Sequence, residues 1–136
     1  MKNKYLLFII IITLLNTFFV NADENIFDDF LKAWIKKDIN KILTYVSDKT
    51  DYKVYSFDKL VKDLVYDKND VKSHIRKIFN SEINYTDEPD TEIDVKKGIY
   101  QIIYFVDYGC KGEEILTFAL IEGKLILKDI SFYCGY

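Results

Sequence analysis

The chain has 136 residues, with 19 Lys and Arg against 22 Asp and Glu, one His, two Cys and a formal net charge of −3 at pH 7. That length suits one domain. The acidic balance, a single Arg (Arg76) and lysines scattered singly or in pairs argue against nucleic acid as a partner, because phosphate binding needs concentrated positive charge.

Residues 1–22 read as a leader. Lys2 and Lys4 open it, Tyr5 to Leu15 is almost wholly apolar, and Val20-Asn21-Ala22 ends in the small residues that signal peptidase needs. The apolar run is shorter than the roughly 20 residues that span a bilayer. A cleaved signal is therefore expected, followed by a single domain over residues 23–136. The protein would be exported, periplasmic or secreted, with no membrane attachment after cleavage.

Ile26, Phe27, Phe30, Leu31 and Trp34 recur at helical spacing, which predicts an amphipathic helix over residues 24–36. Asp38 can cap a second, short helix whose stripe is Ile39, Ile42, Leu43 and Val46. Tyr52 to Tyr55 suits a short strand. Ser56 or Asp58 then opens a helix with Phe57, Leu60, Val61, Leu64 and Val65 inward. After the Asp67-Lys68-Asn69-Asp70 break, a further helix carries Val71, Ile75, Ile78 and Phe79. A polar connection from Asn80 to Asp90 leads to an edge strand in which Ile93 and Val95 alternate with charged residues up to Gly98.

From Gly98 to Tyr133, three runs rich in branched and aromatic residues are separated by two short glycine-bearing breaks, the pattern of an antiparallel meander. A Glu122-Gly123 turn sets Ile121 opposite Lys124, Ala119 opposite Ile126 and Ile115 opposite Ile130. A turn over Gly109–Gly112 sets Phe105 opposite Leu116 and Ile103 opposite Phe118. Alternation then gives a Leu/Phe face, assigned to the core, and a face bearing Tyr100, Tyr104 and Tyr108 together with Ile102, Val106, Ile115, Ile121, Ile126 and Ile130. That second face is expected to meet a partner or a second copy of the chain, making a homodimer through the sheet. The register also brings Cys110 and Cys134 to one edge of the sheet. In an exported chain such a pair is expected to form a disulfide, worth about 3 kcal/mol.

Helices first and strands last describe an α+β plan, with N-terminal helices packed on one face of a curved C-terminal antiparallel sheet. A helix ending in W-I-K-K-D-I-N-K-I-L, a second helical region and a closing L-I-L-K-D-I-S-F resemble the nuclear-transport-factor-two-like superfamily. The resemblance covers nearly all of residues 23–136 and implies a cone, with helices seated in the hollow of a bent sheet. It also implies a pocket in the cone, which isomerases, cyclases and dehydratases of that superfamily use for small molecules.

Two residues are candidates for proton transfer. His74 lies on the apolar stripe of its helix, where a carboxylate neighbour could tune it as a general base. A boundary histidine held by one hydrogen bond is the more economical reading. Asp107 falls with Glu114, Ser131 and Asp129 near the disulfide end, a grouping that could separate an acid from a base or hold a hard cation. Solvated strand ends are the more economical reading of that group, and neither a metal nor a cofactor is expected. Tyr100, Tyr104, Tyr108 and Trp34 are the candidate ligand or partner surface, because Tyr and Trp join apolar area to a polar tip. Phe30, Trp34, Leu64 and Ile75 are expected to line the hollow. The sequence supports a small exported domain that binds an apolar molecule or a protein without turnover, an enzyme of the cone type being the alternative.

Overall fold

The computed structural model describes residues 25–80, 89–94 and 97–135. The expected leader and most of the connection after Asn80 lie outside the described residues.

Helix α1 covers residues 25–35. Its stripe of Phe27, Phe30, Ala33 and Trp34 is buried, as the spacing predicts. Lys37 then takes a positive φ of 55°, and the Asp38 N–H returns to the Ala33 carbonyl, ending the helix. Helix α2 (Ile39–Leu43) begins at Asp38, whose side chain accepts from the Lys41 N–H at 3.1 Å. Helix α3 (Lys68–Phe79) begins in a reciprocal capping box between Asp67 and Asp70 and buries Val71, His74, Ile75 and Ile78.

The sheet has six strands: β1 (Val46–Ser56), β2 (Lys59–Tyr66), β3 (Asp90–Asp94), β4 (Ile99–Asp107), β5 (Lys111–Ile121) and β6 (Lys124–Cys134). Their order is β2-β1-β6-β5-β4-β3. The sheet is curved and unclosed, and the fold is α+β. It is mixed rather than wholly antiparallel, since β1 lies parallel to β6. No hairpin could signal that contact in the sequence, because it joins the first strand to the last.

The expected helix between Ser56 and Val65 is strand β2. Phe57 and Asp58 take φ of 46° and 62°, the mirror-image two-residue turn that matches strand twist. Asp58 therefore cannot adopt the extended backbone of an N-cap. The chain folds back along β1, pairing Ser56 with Lys59 and Tyr52 with Leu64. Leu60, Val61, Leu64 and Val65 remain exposed on this edge, so Leu64 does not line the hollow.

The meander follows the expected Glu122-Gly123 turn, with Ala119 opposite Ile126. A bulge follows at Lys128, because Phe118 pairs with Leu127 and Thr117 with Asp129. Ile115 consequently faces Ser131, and Ile130 turns inward beside Leu116. The β4–β5 turn differs more. It consists of Tyr108-Gly109-Cys110, with Asp107 opposite Lys111 and Phe105 opposite Glu113. Gly112 belongs to the strand, where a Cβ would collide with the Tyr133 carbonyl.

The resulting shift of β4 against β5 is odd, and an odd shift exchanges the faces. Tyr100, Ile102, Tyr104 and Val106 therefore point into the core beside Leu116 and Phe118. The tyrosine row is not an outer partner surface. The outer face carries Ile99, Ile103, Ile115, Ala119 and Ile126, all partly exposed, in place of Ile102, Val106 and Ile130. Cys110 and Cys134 form the expected disulfide, with Cα atoms 5.9 Å apart.

Candidate functional site

The hollow between the helices and the sheet is aromatic. Phe27 of α1 packs on Tyr100, and Trp34 lies between Tyr104 and Phe79, with centroid separations of 5.5 and 4.9 Å. Three of the four residues expected to form a ligand or partner surface, Trp34, Tyr100 and Tyr104, are thus buried inside and not on an outer face. Tyr108, the fourth, is half-buried at the end of β4, its ring 5.0 Å from Phe132.

Within this apolar setting stands one carboxylate. Glu114 is inward on β5, between Gly112 and Leu116, and is 0% exposed. Three donors converge on its Oε1. The Tyr104 hydroxyl donates at 2.5 Å, the Tyr108 hydroxyl at 2.9 Å, and His74 Nε2 lies at 2.7 Å. Each comes from a different part of the fold. Tyr104 sits directly opposite Glu114 in the β4–β5 ladder, Tyr108 leans back from the turn, and His74 descends from α3.

Burial raises the Tyr104 and Tyr108 hydroxyls well above the ordinary phenol value of 10.0, and the negative charge of Glu114 raises them further. Both therefore stay protonated and remain donors at neutral pH. Tyr52 and Tyr66 are raised by the same two causes in the same order. These two rings stack at 4.5 Å and, together with Tyr108, surround the imidazole at centroid distances of 5.2, 5.9 and 5.8 Å.

The cluster has an asymmetry with chemical meaning. Among the described residues, Oε1 accepts every bond, whereas Glu114 Oε2 is buried with no hydrogen-bond partner. A second buried polar atom, Thr50 Oγ1, also has none among the described residues, at the β1 position opposite Tyr66. Native interiors rarely leave such atoms unpaired, and each costs about 1–3 kcal/mol, more when charged. The arrangement can accept one further hydrogen bond from a molecule that reaches Oε2. Its Nε2 and two phenol donors are already committed.

Asp107 does not join this cluster. It points to the outer face, and its Oδ1 accepts from the Gly109 N–H at 2.9 Å, closing the turn. Ser131, itself buried, donates to Asp129 on the opposite sheet face from Glu114, so of the expected group Glu114 alone joins this cluster. His74 is buried, 7% exposed, and has the carboxylate neighbour that its stripe position allows. Sequence reasoning missed that neighbour, along with Tyr52 and Tyr66. The available signal was a lone Glu at an inward position of a strand continuing Leu116, Phe118. Grooves lined by described residues open elsewhere, one of about 340 Å³ lying between Ile26, Tyr45, Val46, Leu125 and Ile126.

No protein-family model matches this chain, and no curated protein is detectably similar. Solved structures are. A DUF4783 family protein from Bacteroides uniformis superposes with a TM-score of 0.52 at 12% identity, covering 78% of this chain and 94% of its own. The DUF4783 protein from Bacteroides ovatus gives 0.53 at 9% identity, covering 78% and 92%. A putative polyketide cyclase from Xanthomonas campestris gives 0.52 at 8% identity, covering 85% and 91%. The chain shares the fold of these three proteins, the plan of helices on a curved sheet that the sequence predicts. At these identities the likeness extends to the fold alone.

Proposed function

We propose that this chain is an exported binding domain that holds a small, largely apolar molecule in its cone without transforming it. The observation that carries the reading is the vacant acceptor on Glu114, a desolvated carboxylate oxygen surrounded by aromatic rings. Ligand sites pair an apolar lining with a few placed polar groups, and this interior has that composition. His74 Nε2 and both phenols are consumed by Glu114 Oε1, and Asp107 by its turn, so neither catalytic candidate offers a free proton-transfer group. Export is supported by the leader-like residues 1–22 and by the disulfide.

A second reading draws on one feature. His74 and Glu114 are two titratable groups in contact inside the cone, the pairing that general acid–base catalysts use. One experiment separates the two. The protein is purified from its native host, and small molecules released on denaturation are identified by mass spectrometry. The binding reading expects a molecule that is enriched with the wild type, lost with Glu114→Gln, and returned unaltered after prolonged incubation with excess protein. Conversion during that incubation, abolished by His74→Ala, would establish the enzyme instead.

A further inference from the structure

We infer that the molecule held at Glu114 is a small primary ammonium with an apolar body, its N–H donating to Oε2. This rests on the binding reading above and names the ligand class for the same site.

Three observations select the class. First, the vacant atom is a carboxylate oxygen at full burial, and the only ion-pair partner of Glu114 among the described residues is the imidazole of His74. No Lys or Arg of the described residues is paired with it. A donor that also carries positive charge compensates a desolvated carboxylate best, since charge-assisted hydrogen bonds are about twice as strong as neutral ones. Second, the surroundings are aromatic. The rings of Tyr52, Tyr66 and Tyr108 lie 5.2, 5.9 and 5.8 Å from the imidazole that pairs with Glu114, and electron-rich rings attract cations. Tyr52 already does so on its β2 side, where Lys62 Nζ stands 5.8 Å from the ring centroid. Third, donors from the described residues converge on Oε1 alone, so a new donor at Oε2 displaces none of them. An anion would face the carboxylate directly, and a neutral alcohol would satisfy the hydrogen bond but not the charge.

The approach is set by exposure. Tyr66 and Tyr108 are partly exposed, whereas Tyr104 is 1% exposed. A ligand therefore reaches the pair past Tyr66 and Tyr108, at the ends of β2 and β4.

The test uses the disulfide-intact protein and four probes of matched size: benzylamine, benzyl alcohol, benzoate and benzyltrimethylammonium. Binding is followed by calorimetry and by the aromatic NMR signals of His74 and the surrounding tyrosines. Benzylamine should bind about tenfold tighter than benzyl alcohol, and benzoate should not bind. Benzyltrimethylammonium keeps the charge but has no N–H, and should bind about tenfold more weakly than benzylamine. In Glu114→Gln the advantage of benzylamine over benzyl alcohol should vanish. Because that variant can fail to fold, the four-probe ranking on the wild type stands as an independent arm. If benzyl alcohol perturbs the cluster as strongly as benzylamine, the ammonium assignment falls while binding in the cone survives. Equal binding of the two cations would overturn the N–H···Oε2 contact. If none of the probes moves those signals, both the assignment and the reading beneath it fail.

Discussion

Strand β2 and helix α3 are neighbours in sequence with the same kind of pattern and opposite fates. Phe57, Leu60, Val61, Leu64 and Val65 recur at helical intervals, as do Val71, Ile75, Ile78 and Phe79. The second set forms a helix whose inward residues are buried. The first forms a tight turn at Phe57, 77% exposed, and then an edge strand with Leu64 42% exposed. The difference lies in how each segment starts. Asp67 has an extended backbone and reciprocates with Asp70, satisfying amide donors that a helix N-terminus leaves open. Asp58 has φ of 62° and forms half of a tight turn, which delivers the following residues to β1 instead. Apolar spacing states which residues could share a helical face; the first turn decides whether there is one.

The largest effect expected from this contrast is in packing. Ile75→Ala should cost about 2–5 kcal/mol, since Ile75 is 0% exposed under α3. Leu64→Ala on β2 should cost less than about 1 kcal/mol. Urea midpoints of the two variants measure the contrast, and similar losses would mean that β2 is packed as deeply as α3.

The cluster beneath α3 sharpens it next. Tyr104→Phe removes one of three donors from Glu114 and should cost about 1–2 kcal/mol at neutral pH. The raised phenols add a pH dependence. Their stabilisation is fully present below the ordinary value of 10.0, where the unfolded chain ionises, and is lost as pH rises toward the higher folded values. Unfolding free energy should therefore decline from about pH 10 upward, and less steeply in Tyr104→Phe, by urea titration at successive alkaline pH values. An unchanged slope in the variant would remove Tyr104 from that linkage.

The smallest effects are at the two starts, and they differ in sign. Asp67→Ala should cost about 1 kcal/mol through loss of the cap. Asp58→Gly should be neutral or stabilising by a few tenths of a kcal/mol, because glycine takes a positive φ without strain. Thermal midpoints suffice to compare them. A loss at Asp58 equal to that at Asp67 would show Asp58 capping a helix after all.

Local features were the legible ones. The stripes of α1 and α3, the cap at Asp38, the Glu122-Gly123 turn and the disulfide all depend on residues close in sequence or on a short hairpin. The site was legible only in part. His74 was visible on its helix, but its neighbour depended on the β4–β5 register, set by where a glycine-bearing turn begins. Reading the turn at Gly109–Gly112 instead of Tyr108–Cys110 sent Tyr104 outward, and with it the reason for a buried Glu114. The bulge at Lys128 left only a faint trace, the adjacent polar pair Lys128-Asp129 between inward Leu125 and Leu127 and inward Ile130 and Phe132, which strict alternation passes over. Pairing across the chain is chosen by the best-filled interior, which no single segment contains.

The parallel contact between β1 and β6 sets an order of assembly. The β1–β2 hairpin and the β4–β5–β6 meander can each form from adjacent residues, but they join only along a seam linking opposite ends of the chain. Closing that seam costs chain entropy before its contacts repay it, which makes it a slow step for a chain of this size. Until β6 is available, β1 has no neighbour on its inner edge, and α3, which packs on β1 and β2, is not yet brought against Glu114 of β5. A chain emerging from its N-terminus therefore closes this sheet only once β6 has followed the other five strands, and the interior between α3 and β5 forms with that last seam.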